Sequence, residues 1–287
     1  MFQLAFPKSA ARCARKLAFF PVWLKLAVVM QKLFTVILPA AGNSTRFALG
    51  DKLLMDLNGR SILQRSVELF TIRDDVAAII LATAPERFAL YEDHLKNMLH
   101  GKSLHIVAGG RERWESVQKA LNSGLAGTEF VAIHDAARPL TPIAVIDAVF
   151  AAAIEIGAAL PVLAEPATLK RVDATGRITA TVSRSGLHQA QTPQCFQTKV
   201  LQQAFVQAVE AGTLHGVTDD AQLVEMTGQP VRATAGSAMN IKITIGEDLR
   251  LAGAILEMNS RGSAGLSAAV QVAYDPVRPK PESGVNP

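Results

Sequence analysis

Phe34-Thr35-Val36-Ile37-Leu38 runs straight into Pro39-Ala40-Ala41-Gly42-Asn43-Ser44-Thr45-Arg46, with Lys52 a few residues on. The first five residues carry no charge and read as a strand buried on both faces. A loop of small residues after such a strand leaves backbone N–H groups uncovered, and uncovered N–H groups can cradle a phosphate. Arg46 and Lys52 add fixed positive charge beside it. The loop is not a P-loop, because Gly-Lys-Ser/Thr is absent. Nor is it a dinucleotide Gly-x-Gly-x-x-Gly, because only Gly42 is in register. Taken alone, a tight turn with surface cations fits it too.

The pattern then repeats. Apolar runs at Val76–Ala82, Leu104–Val107, Phe130–His134 and Ala158–Val162 read as further buried parallel strands. Helical stretches lie between them at Ser61–Phe70, Glu86–Leu99, Arg113–Leu125 and Pro142–Ile156. This alternation predicts an α/β fold, a mostly parallel, doubly wound sheet with helices on both faces. Ligands in such sheets bind outside the carboxyl ends of the strands. Leu169–Val182 breaks the rhythm, with two β-prone runs around Asp173-Ala174-Thr175-Gly176. It predicts an inserted β-hairpin arm. A lone hairpin is marginal in water, so the arm needs a surface to pack on, for which a second subunit is the natural candidate.

Composition bounds the rest. Of 287 residues, 49% are hydrophobic and 19% charged, which excludes a mainly disordered, collagen-like or disulfide-rich chain. Cys13 and Cys195 provide neither a disulfide framework nor a cysteine zinc site, and they fit a reducing, cytoplasmic setting. The net charge of +4 invites a nucleic-acid or membrane reading. However, residues 1–33 contribute six cations and no acid, while residues 34–258 hold 20 basic and 23 acidic side chains. The apolar run Leu17–Met30 is too short to span a bilayer and is broken by Pro21 and Lys25. It has the charge order of a signal peptide without a clean cleavage site, and contact with a membrane surface is the minor reading. The favoured one is an extension outside the fold, or an upstream start codon ahead of Met30. The Ser-, Gly- and Pro-rich stretch 259–287 is expected to be a disordered tail.

Further segments after the first strand carry chemistry. Gly109-Gly110 allows close approach of a base or ribose, and Ser116 lies within hydroxyl reach in the next helical turn; ordinary helix capping explains Ser116 equally well. His134-Asp135-Ala136-Ala137-Arg138-Pro139 offers Asp135 for Mg²⁺, directly or through water, and Arg138 as a phosphate clamp. His134 reads as structural. Further on, Thr168-Leu169-Lys170, Thr181–Arg184, Gln191-Thr192-Pro193-Gln194, Thr218-Asp219-Asp220-Ala221 and Asn240-Ile241-Lys242-Ile243-Thr244 supply hydroxyls and cations for a second phosphorylated ligand. His188 and Cys195 have no third orienting group and do not read as a catalytic dyad.

In this order the segments resemble the 2-C-methyl-D-erythritol 4-phosphate cytidylyltransferase family, from about Phe34 to Leu256. The resemblance implies a Rossmann-like nucleotidyltransferase fold over 34–258 and a homodimer. A dimerisation arm at about 166–186 would reach over the partner's site. It implies transfer of CMP from CTP to methylerythritol phosphate with Mg²⁺ or another divalent cation. Ala40, Ala41 and Gly42 would hold the nucleotide through backbone, and Gly110 and Ser116 would lie against the cytosine. Arg46 and Lys52 would be catalytic, stabilising charge on the α-phosphate. Asp135 and Arg138 would serve the metal and sugar-phosphate region. Thr192, Thr218 and Lys242 would bind the acceptor, with Thr168 and Arg184 reaching it from the partner subunit. The chain departs from the family pattern at Ser44 and Asp51, where Gly and Pro are usual, and at Arg111, Ala167 and His188. A cytidylyltransferase for another polyol phosphate, such as ribitol 5-phosphate, and an inactive nucleotide-binding regulatory module are the alternatives.

Overall fold

The computed structural model describes residues 34–42 and 51–262. The expectations for residues 1–33, for Ser44 and Arg46, and for most of the tail lie outside the described residues. The opening strand β1 (Phe34–Pro39) alternates its two faces. Phe34, Val36 and Leu38 pack into one apolar cluster and Ile37 into another. Burial on both sides is what an uncharged strand needs.

β1 pairs in parallel with β2 (Val76–Thr83) on one side and β4 (Phe130–Ile133) on the other. Beyond β2 lies β3 (Ser103–Ala108), the edge strand, which is only half-buried rather than buried as expected, since among the described residues no strand pairs with its outer side. The other half of the sheet contains β5 (Ala158–Ala164), β8 (His188–Ala190), β9 (Gln194–Gln197) and β10 (Arg232–Ala235). The order is β10-β5-β9-β4-β1-β2-β3, with β8 added on β5. β9 runs antiparallel between β4 and β5, the main departure from a purely parallel sheet.

Helices cover both faces. On one side α1 (Ile62–Thr71), α2 (Phe88–Leu95), α4 (Ile143–Ile156) and α7 (Gly246–Gly262) join the cluster around Phe34 and Leu38. On the other, α3 (Arg113–Asn122), α5 (Thr198–Glu210) and α6 (Asp220–Met226) pack on Ile37, Ile80 and Ile133. The fold class is therefore as predicted. The stretch Glu86–Leu99 is not one helix: Pro85 starts a 3-10 turn, α2 follows, and a second 3-10 turn occupies Lys96–Met98. At the far end α7 runs past the expected boundary at 258 to Gly262, because no proline interrupts it earlier. Among the described residues no helix is long and apolar enough to cross a membrane.

The hairpin is present as β6 (Leu169–Val172) and β7 (Ile178–Val182), a two-stranded sheet of its own. Its turn is held by Asp173, whose Oδ1 accepts from the Thr175 and Arg177 amides, and by Gly176 at φ +86°. Val172 and Ile178 are more than half exposed.

After β3 the chain crosses back and adds β4 on the opposite side of β1. The order reverses between β1 and β4, so a crevice opens at their carboxyl ends. Pro39–Gly42 and His134–Arg138 follow those two ends.

Candidate active site

A cleft of about 300 Å³ lies at this reversal. It is lined by Ala40, Ala41 and Gly42 after β1, by Lys52 and by the Gly110–Arg113 turn with Ser116. Asp135 after β4, Lys242 and Thr244 complete it. Sequence segments spread over two hundred residues thus converge. Ala40 anchors the first loop, donating its amide to Ala82 O at 2.7 Å and accepting from Thr83 at 3.3 Å. The Gly109-Gly110 turn lies hard against its surroundings. A Cβ on Gly109 would sit 2.4 Å from Ala41 Cβ, and one on Gly110 2.2 Å from Glu115 Cβ. Both positions need glycine for space. Ser116 Oγ accepts the Gly110 amide at 2.9 Å, and Glu115 accepts the Arg111 amide at 2.6 Å. Ser116 therefore holds the turn that faces the cleft.

Asp135 is the electrostatic centre. Its Oδ1 accepts from Arg113 Nε at 3.0 Å, and its Oδ2 meets Lys242 Nζ at 2.9 Å and Arg138 Nε at 3.5 Å. Burial alone would raise its pKa, but Arg113, Lys242 and Arg138 hold it well below the usual carboxylate range. Three cations on one carboxylate leave local positive charge in a body whose overall balance is slightly negative. Arg113 also donates Nη1 to Asp220 Oδ2 at 2.6 Å, across 107 residues of sequence. Asp220 is fully buried at the start of α6, where Gln194 Oε1 accepts the Asp220 and Ala221 amides.

Beneath Asp135, Thr192 is buried, accepting the Asp135 amide at 3.1 Å and contacting His134 Nδ1 at 3.1 Å. His134 Nε2 faces Arg138 O at 3.0 Å, and a carbonyl can only accept. The imidazole therefore carries its proton on Nε2 and takes the Thr192 hydroxyl on Nδ1. Burial pushes the His134 pKa down to about 4. Between the ordinary imidazole value near 6.5 and about 4, the unfolded chain binds a proton that the native state refuses. The His134 contribution to stability should therefore fall by roughly 3 kcal/mol as pH drops through that window, and below it the loss passes to the depressed Asp135 carboxyl. Urea unfolding across this pH range checks it, and His134→Gln should remove the slope.

Residues 34–258 match the family described as 2-C-methyl-D-erythritol 4-phosphate cytidylyltransferase. The chain belongs to this family. A member from Rhodopirellula baltica is 42% identical over 234 residues, covering 77% of this chain and 94% of the relative. Another from Frankia casuarinae is 40% identical over 222 residues, covering 77% and 80%. The crystal structure of the Thermus thermophilus 2-C-methyl-D-erythritol 4-phosphate cytidylyltransferase superposes with a TM-score of 0.65 at 32% identity, covering 79% of this chain and all of that one.

Of the residues that the family resemblance singles out, Ala40, Ala41, Gly42, Lys52, Gly110, Ser116, Asp135 and Lys242 line the cleft. Arg138 is attached to it through Asp135 and donates Nη1 to Asn240 O at 2.6 Å. It lines a neighbouring hollow with Lys242, Gln189 and Gln191. Thr192 lies under the cleft floor. Thr218 is exposed and bonded to Gln222. Thr168 and Arg184 flank the hairpin, Arg184 donating to Pro166 O. Neither is among the residues lining this chain's cleft. No role for Arg113 or Asp220 is legible in the sequence, though Asp220 stands inside a quoted motif and Arg113 opens an expected helix. The pairing of a half-buried arginine with a buried aspartate so far apart in sequence needs the folded chain.

Proposed function

We propose that this chain transfers CMP from CTP to 2-C-methyl-D-erythritol 4-phosphate, giving 4-diphosphocytidyl-2-C-methyl-D-erythritol and pyrophosphate. The observation that carries it is the convergence of the β1 loop, Lys52, the Gly110 turn, Asp135 and Lys242 in one cleft. An oxygen of the acceptor's phosphate forms the new bond to the α-phosphorus of CTP while the bond to the β-phosphate oxygen breaks. A phosphomonoester is mostly dianionic at neutral pH, so no side chain need remove a proton. The protein's part is alignment and charge cancellation. The backbone of Ala40–Gly42 faces the nucleotide phosphates, Arg46 and Lys52 offset charge at the α-phosphate, and Gly110 with Ser116 shapes the base contact. Arg138, Thr192, Thr218 and Lys242 form the acceptor side, Thr192 by supporting Asp135 from below.

Among the described residues, no three His, Cys, Asp or Glu side chains gather as a metal cage. Mg²⁺ in nucleotide sites takes one or two carboxylates plus phosphate oxygens and water, so Asp135 is a sufficient protein ligand. Both its oxygens already meet cations, which favours contact through water. Bound with the nucleotide, Mg²⁺ would neutralise phosphate charge. The setting that fits is the cytoplasm.

With CTP, Mg²⁺ and methylerythritol phosphate the protein should release pyrophosphate. Release with ribitol 5-phosphate alone would transfer the reading to that substrate, and no release with either would favour a regulatory module. The arm supports a homodimer, because Val172 and Ile178 stand uncovered on a hairpin that is marginal alone. Thr168 and Arg184 would then reach the partner's cleft. Sedimentation should give a dimer at micromolar concentration, and a monomer would refute this.

A further inference from the structure

Lys52 follows a carboxylate, Asp51, where the family usually has proline. A carboxylate next to a phosphate-binding ammonium should weaken its field. The structure shows where that charge goes. Asp51 caps the 3-10 turn Lys52–Leu54, its Oδ1 accepting the Leu53 amide at 3.1 Å. Its Oδ2 accepts from Tyr91 Oη at 2.6 Å and pairs with Arg87 Nε at 3.4 Å. Tyr91 is fully buried on α2 and Arg87 ends the turn before it. Asp51 does not line the cleft, whereas Lys52 and Leu53 do. Lys52 reaches instead to Ile243 O at 3.2 Å, beside Lys242 and Thr244.

We propose that Tyr91 and Arg87 are positioning residues for Lys52, acting through Asp51. They hold the carboxylate on the α2 side and fix the turn that aims the ammonium into the cleft. The proposal rests on the reading of Lys52 as a phosphate-stabilising residue. No carboxylate is needed where proline stiffens the turn directly. Here a capped, neutralised aspartate replaces that stiffness, so the two helix-side partners become part of the Lys52 apparatus.

The test measures kcat and KM for CTP by pyrophosphate release in Tyr91→Phe, Asp51→Asn, the double variant and Lys52→Ala. Tyr91→Phe should lower kcat roughly fivefold with little change in KM, because Asp51 loses one of its two helix-side anchors and the turn that aims Lys52 loosens. Asp51→Asn removes the charge that Arg87 and Tyr91 hold and should lower kcat at least as much as Tyr91→Phe. When Asp51→Asn is already present, adding Tyr91→Phe should cost almost nothing in kcat. A purely structural tyrosine would lower turnover equally with and without Asp51→Asn, and that result overturns the proposal. So does an unchanged kcat in Tyr91→Phe while Lys52→Ala is impaired. Full turnover in Lys52→Ala would instead strike down the Lys52 reading itself, and the proposal with it.

Discussion

Lys52→Ala should lower kcat by about 10²–10³ while the protein stays folded. Positively charged groups aimed at a transferring phosphoryl group act mainly in the transition state, and loss of one such donor typically costs that much. The Lys52 Nζ lies 3.2 Å from Ile243 O, which sets the ammonium between the β1 loop and the Lys242 segment. Its removal withdraws charge from the departing pyrophosphate, so KM for CTP should move less than kcat. The measurement is steady-state pyrophosphate release with the thermal midpoint as a folding control. Turnover within about threefold of the parent at an unchanged midpoint would end the charge-stabilisation role. Arg46→Ala should behave similarly.

Arg113→Met should be strongly destabilising. Arg113 binds Asp135 through Nε and Asp220 through Nη1, and both carboxylates are buried. Removing one partner of a buried ion pair costs about 3–5 kcal/mol, because the other charge is left uncompensated. For a domain of this size that lowers Tm by roughly 6–20 °C. Asp220→Asn in the same chain should recover part of the loss, since it removes one stranded charge. Differential scanning calorimetry of the single and double variants decides it. A midpoint within about 2 °C of the parent in Arg113→Met would show that the network carries little energy.

These two residues mark how far the sequence could be read. Lys52 was legible because it follows a recognisable strand and small-residue loop, and the chemistry of such a loop is local. Asp135 was legible for the same reason at the end of β4. Arg113 and Asp220 were not, since their pairing spans 107 residues and no local pattern announces it. The α/β fold was legible from strands with long apolar runs. β9 was not: Gln194-Cys195-Phe196-Gln197 has no run to speak of, and its place comes from pairing with β4 and β5. Gln194 and Asn240 sit in motifs that look ligand-facing. Gln194 instead anchors α6, and Asn240 donates to Thr192 O at 2.9 Å. Polar side chains that brace a site and those that touch its ligand are alike in sequence and separate only by burial.

The Gln194–Asp220–Arg113–Asp135 chain of contacts has a consequence for how such an enzyme could change its diet. It joins β9, α6, α3 and the β4 loop into one rigid strut behind the cleft. A drift in acceptor preference that passed through Asp220 would disturb the nucleotide side at the same time. Thr218 bonds only to its own neighbour Gln222 in the contacts described above, and the arm stands free of the strut. Those are the places where new polyols could be tried without breaking the machinery that handles CTP.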